Sequence, residues 1–181
     1  MKSGLTLFIL TCSFFFSQPC LGGGIDSYSQ SELIQILKDA IEINEKFKKT
    51  VVVDQMQEYQ ERRKEVENYY EDKLSPRFKE YVSSITQNND IELSELFLEM
   101  VISYENSADE SLSFTCGELF RKDPNLILDV FDKFTNQEQK YLYKQIEFGW
   151  EQIIATDKLS ESELVNRNSD LNKLKQLSGS H

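Results

Sequence analysis

The sequence predicts an all-α chain, built as an array or irregular bundle of antiparallel helical hairpins. Three observations carry that expectation. Apolar residues recur at three- and four-residue spacing in one segment after another, the period of a helix buried along one face. Boxes of the form Ser/Thr/Asn-x-x-Glu open those segments, and such boxes satisfy the free amides of a helix start. Val51, Val52 and Val53 form the only strand-like run, and neither β-α alternation nor a Gly-rich phosphate loop occurs.

The elements follow in chain order. Ser29 with Glu32 caps a helix whose stripe is Leu33, Ile36, Leu37, Ala40, Ile41 and Phe47. The three valines have no turn signal on either side, so they read as a short strained joint or as part of one long helix. Between residues 57 and 73 charges alternate thickly, as on a solvated helix. Ser75-Pro76 reads as a stop and restart, with Ser as cap and Pro at the first helical position. Phe78, Tyr81, Val82 and Ile85 form the next face. Asn89 with Glu92 then caps a helix striped by Leu93, Leu96, Phe97, Met100, Val101 and Tyr104. Ser107 with Glu110, Asp123-Pro124 and Thr135 with Glu138 open three more helices, the last running to about residue 154. Connections this short make neighbours run roughly antiparallel. After residue 155 the signal weakens. Residues 156–181 read as a weakly ordered polar tail with one further helix, opened by Ser160 with Glu163 and carrying Leu171, Leu174 and Leu177.

The N-terminus reads as a targeting segment. Lys2 and the α-amino group precede an uncharged run at residues 5–16, "LTLFILTCSFFF", too short for a bilayer that needs roughly 20 residues. Small residues follow, so residues 1–22 are expected to be a cleaved signal peptide, with cleavage after Gly22 or one residue later. Lipidation of Cys20 is the minor alternative, since Ser17-Gln18-Pro19 lacks the Leu-small-small run that should precede such a cysteine. Residues 23–155 are then one helical domain of an exported protein, periplasmic or extracellular, with no membrane span left after cleavage.

Composition removes several function classes. The formal net charge is −11, from 20 Lys+Arg against 31 Asp+Glu. Nucleic acids require clustered positive charge, so they are not expected partners. An anionic membrane surface is disfavoured on the same ground. Loss of Cys12 and Cys20 with the signal would leave Cys116 alone, so the core must hold the fold without a disulfide. The only histidine is His181. Ser-His-Asp hydrolysis, His-bound zinc and His-ligated haem are therefore not expected, and neither cofactor nor metal is.

Cys116 sits between Thr115 and Gly117 in "SFTCGELFRKDPNLILDVF", a setting that suggests a nucleophile. A catalytic thiol needs an electropositive neighbour or a base, and no Lys or Arg lies between Lys79 and Arg121. Cys116 also falls in the stripe of Ala108, Leu112, Leu119 and Phe120, so its expected role is packing. Ser113 and Gly117, four apart, are expected to let a second helix approach closely.

The informative polar feature is an acidic run. Residues 80–120 hold nine acidic side chains and no basic one. Glu92, Glu95 and Glu99 repeat at i, i+3 and i+7, which stacks like charges on one helix face at a cost of about 0.2–0.5 kcal/mol per pair. With Asp109 and Glu110 they form the candidate surface for a basic protein partner, set against the reading of an ordinary solvated face. Tyr141, Tyr143, Phe148 and Trp150 crowd one helix, which fits either an interface or a helix buried on two sides.

The hairpins with capping boxes and Asp-Pro at residues 75–154 resemble α-solenoid proteins in architecture, which implies a binding surface rather than catalysis. The functional expectation is an exported, non-catalytic binder of a basic protein, such as an inhibitor or immunity-type protein. The alternative is a carboxylate-dependent hydrolase of envelope or extracellular glycans, which needs two carboxyl groups about 5–10 Å apart in a cleft. A third reading, a carrier of an apolar ligand, needs a large closed pocket lined by Phe and Tyr.

Overall fold

The computed structural model describes residues 28–50, 56–105 and 110–180, and every regular element among them is helical. The valine run, the Ser107 box, the 1–22 segment and His181 lie outside the described residues. Helix α1 (Gln30–Lys48) opens with the expected reciprocal box: the Glu32 amide donates to Ser29 Oγ at 3.3 Å and the Ser29 amide to Glu32 Oε2 at 2.7 Å. Leu33, Leu37, Ala40 and Asn44 form its buried face. Asn44 donates to the carbonyl of Ser103, an acceptor at the end of a helix that would otherwise lack a partner.

Helix α2 (Met56–Tyr69) has no fully buried residue, though Val66 and Tyr69 pack partly buried against the core. It is laced by pairs such as Arg63 with Glu67 at 2.8 Å and Arg62 with Glu65 at 2.9 Å, the support a solvated helix draws from i, i+3 and i+4 spacing. Aromatic contact between Phe47 and Tyr59, with ring centroids 5.1 Å apart, joins it to α1.

The Ser75-Pro76 restart takes a different form from the one expected. The chain stays helical through a π turn (Tyr70–Leu74) and a 3-10 turn (Ser75–Arg77) into α3 (Phe78–Asn88). Ser75 is in the αR region, not the extended conformation of a cap, and its amide bonds back to the Tyr70 carbonyl. The wider turn brings Tyr70 and Leu74 into the core together. Pro76 donates no amide hydrogen, so it fits in the short turn before α3 without stopping the chain.

The cap before α4 (Ile91–Ser103) is also displaced by one residue. Asp90 Oδ1 accepts the Leu93 amide at 2.9 Å, while Asn89 ends α3 in the left-handed region at φ 50°. Asn reaches that region at little cost, and this frees the next residue to cap. Helix α4 buries Leu93, Ser94, Phe97, Leu98, Met100, Val101 and Ser103, far more than one stripe. It is therefore the central helix, packed on α1, α3, α6 and α7. Around it Tyr70, Phe78, Tyr81, Phe97 and Tyr104 form one aromatic cluster, with centroids 5.4–6.4 Å apart.

Helices α5 (Glu110–Lys122), α6 (Pro124–Phe131) and α7 (Asn136–Thr156) follow. Asp123 caps α6 through Leu126 N at 3.1 Å, with Pro124 at the first helical position, and Thr135 and Glu138 form the full box of α7. Among the described residues the most extensive helix pairing joins α5 to α7, across α6 in sequence. They run in opposite directions: Glu110, at the start of α5, meets Gln152 near the end of α7, and Ser113 meets Gln145. Ser113 and Gly117 do admit a second helix, and Gly149 is its point of contact. A Cβ added to Gly117 would fall 2.4 Å from the Gly149 carbonyl carbon. No side chain fits between these backbones.

Residues 156–180 hold α8 (Glu161–Leu177), docked by specific contacts. Leu174 is fully buried, Trp150 Nε1 donates to Asn168 Oδ1 at 2.9 Å, and Arg121 bonds Asp157 and Glu163 at 2.6 and 2.9 Å. No helix among the described residues is long and apolar enough to cross a membrane.

Candidate functional site

The acidic residues of α4 divide between open surface and a cleft. Glu92 lies exposed in the first turn, where the helix dipole favours a carboxylate. Glu95 and Glu99, one and two turns on, line a cleft of about 360 Å³ with Glu45 of α1 and Glu138 of α7. Ile41, Ile102 and Phe134 supply its apolar walls. A smaller hollow of about 250 Å³ continues from it past Ile102 and Glu138 to Glu105 and Tyr141. The result is an acidic trough across α1, α4 and the start of α7.

Two lysines enter this field. Lys133, from the turn before α7, pairs with Glu95, and Lys48 pairs with Glu45 at 3.0 Å. Glu138 is held by its box: Oε2 accepts from the Thr135 amide at 2.8 Å and from Thr135 Oγ1 at 2.7 Å. Glu99 forms no ion pair among the described residues. Partial burial, reinforced by Glu95 and Glu138 and opposed by Lys133, raises its carboxyl above the ordinary range. Burial also pushes the Tyr141 phenol up to about 12, with smaller contributions from Cys116 and Glu105.

The trough thus unites two of the candidate residues, Glu95 and Glu99, and Glu92 lies outside its lining. Glu110 stands on α5 and accepts from Gln152 of α7 at 3.4 Å, outside the trough lining. Asp109 lies outside the described residues. Glu45 and Glu138 lie outside the acidic run of residues 80–120, and only packing brings them to it. Glu45 had a readable signal, since it follows Ile41 by one turn at the edge of the α1 stripe.

Cys116 is fully buried, and burial alone raises its thiol to about 12. The cause is therefore desolvation rather than the surrounding acidic charge, and the direction opposes a reactive thiolate. Among the described residues, no group of three or more His, Cys, Asp or Glu side chains could hold a metal ion. The aromatic crowd on α7 separates by burial. Trp150 and Tyr143 face inward, Tyr141 is half-buried, and Phe148 is 42% exposed. No protein-family model, curated protein or solved structure matches the chain.

Proposed function

We propose that the chain is an exported, non-catalytic helical protein that binds a basic protein through the trough of Glu45, Glu95, Glu99 and Glu138. One observation carries this reading. Glu99 lies among other carboxylates and forms no ion pair among the described residues, and its carboxyl is raised first by partial burial and then by Glu95 and Glu138. A Lys or Arg from a partner would relieve the repulsion from those two carboxylates and fix the register of the complex. Glu92 and Glu105 flank the trough and would steer approach at long range. An inhibitor or immunity-type role fits a small acidic chain of this kind. For the arrangement of helices, we favour the irregular bundle over the α-solenoid-like array, because α4 packs on helices three elements away in both directions, α1 and α7, whereas a repeat in a linear array contacts only its neighbours.

The test is a comparison of affinity columns bearing the wild type, Glu45→Lys/Glu99→Lys, and Glu151→Lys as a control outside the trough. A basic protein retained by the wild type and the control, eluted by salt and absent from the double variant supports the reading. Retention of the same protein by the double variant overturns it.

A further inference from the structure

A second concavity, about 580 Å³, lies between the Ser75–Arg77 turn with α3 and helix α5. Its floor is Pro76, Phe78, Val82 and Phe114. Phe114 is 41% exposed, the large apolar side chain that α5 leaves to water on this side. Lys79 and Lys122 stand on the rim, both exposed and neither ion-paired among the described residues. The one carboxylate of the lining, Glu118, faces Arg121 at 3.6 Å. In a chain of net charge −11, two unpaired ammonium groups over an apolar floor are a local reversal of sign.

The walls narrow the class of occupant. They are helices whose backbone groups are mostly satisfied internally, so they offer few partners to an extended peptide. Thr115 Oγ1 is already committed to the Ser111 carbonyl at 2.7 Å. A docked helix would need a trough several turns long, whereas this floor is four side chains. An occupant with a flexible apolar chain and one anionic head matches the apolar floor and the two rim lysines. The volume lies within the 300–1,000 Å³ typical of small-molecule sites, which combine apolar lining with a few placed polar groups.

We propose that this groove binds a single-chain anionic amphiphile of the long-chain carboxylate class. The alkyl chain lies on Pro76, Phe78, Val82 and Phe114, and the carboxylate is held between Lys79 and Lys122. The site is distinct from the acidic trough, which would repel such an anion.

The experiment titrates the full chain with a dansyl-labelled undecanoate, followed by dansyl emission, and then displaces it with dodecanoate or with dodecyltrimethylammonium. Saturable binding, displaced by the carboxylate and not by the ammonium compound, is expected. Lys79→Gln/Lys122→Gln should weaken dodecanoate about tenfold, the product of two exposed charge contacts. Phe114→Ser should weaken it about tenfold through lost apolar contact, with the far-UV melting curve intact. Glu45→Lys/Glu99→Lys should not weaken it, which separates this site from the trough. Absence of saturable binding, equal displacement by the two head groups, or unchanged affinity in the lysine variant would overturn the proposal. The two lysines are exposed and unpaired, so the lysine variant decides the matter even if Phe114→Ser folds poorly.

Discussion

Gly149 of α7 and Gly117 of α5 stand in backbone contact: a Cβ on Gly149 would lie 2.9 Å from the Gly117 amide nitrogen and 1.9 Å from the Ser113 carbonyl oxygen. The obstacle is main chain on both sides, so no rotamer change can make room. Gly149→Ala would gain about 1 kcal/mol of helix propensity and lose more by forcing the helices apart, since overpacking costs about 1–3 kcal/mol and occasionally more. A net loss of about 2 kcal/mol is expected, or a fall of roughly 4–8 °C in melting temperature for a chain of this size. Gly179→Ala, at φ 62° with no atom near its Cβ, should cost only the left-handed penalty of about 1–2 kcal/mol. Thermal melts of the two variants check the order.

This contact also marks how far the sequence could be read. Ser113 and Gly117 announced a close approach because small residues four apart share one helix face. Their partner was not legible, since Gly149 stands in an aromatic-rich helix and pairs with a helix two elements earlier. Local signals fixed most helix starts, because a cap is chemistry within four residues. They slipped where two polar residues competed, as Asn89 and Asp90 did, and at Tyr70–Leu74, where tertiary burial selects a π turn that no local pattern writes. The trough shows the same limit. Glu95 and Glu99 were readable from spacing on α4, whereas Glu45, Glu138 and Lys133 come from three other places in the chain and meet only through packing.

Cys116 should be chemically silent. With its thiol buried and raised to about 12, a thiol reagent at pH 8 should modify it in the native chain only as fast as the structure opens. In denaturant the reaction should be complete within minutes. Expressing the chain from Gly23 onward, which contains no other cysteine, isolates the Cys116 signal. Cys116→Ala should keep partner binding and lose about 1 kcal/mol of stability, the scale of a small core truncation. Loss of binding in a normally folded Cys116→Ala protein would reverse the packing assignment.

Glu99 sets stability against binding. Its folded-state carboxyl is raised above the usual 4.5, first by partial burial and then by Glu95 and Glu138. A raised carboxyl gives its full contribution to stability below the unfolded value and loses it as pH rises through the folded value. Glu99 is therefore a cost at neutral pH. Glu99→Gln should stabilise the protein at pH 7 by less than about 1 kcal/mol, because solvent screens an exposed group. The gain should vanish below about pH 4.5, where the wild-type carboxyl is protonated in both states. Paired melts across that range provide the check. The same variant should weaken the basic partner, so a stabilised protein with undiminished binding would remove Glu99 from the site.

Helix α8 is held by apolar and polar contacts together, and the single tryptophan reports on it directly. Leu174 is fully sequestered, and Leu164 and Leu171 pack partly buried against the core. Further hold comes from Asn168 on the Trp150 indole, from Arg121 on Glu163 and on Asp157 just before the helix, and from Arg167 Nε donating to the Arg121 carbonyl at 2.8 Å. Arg121→Gln breaks two charge-assisted bonds, each worth about 1.5–3 kcal/mol when well sheltered and less here because Arg121 is partly exposed. Asn168→Ala leaves the indole N–H to water at a cost of about 1 kcal/mol. Trp150 also packs edge-on to Phe120 at 6.1 Å, so its emission should shift to the red as α8 lifts away. In Arg121→Gln, amides of α8 should lose hydrogen-exchange protection before those of α5 and α7, since the Gly117–Gly149 contact does not depend on α8. Simultaneous loss of protection in all three helices would instead make α8 part of one cooperative unit with the α5–α7 pair.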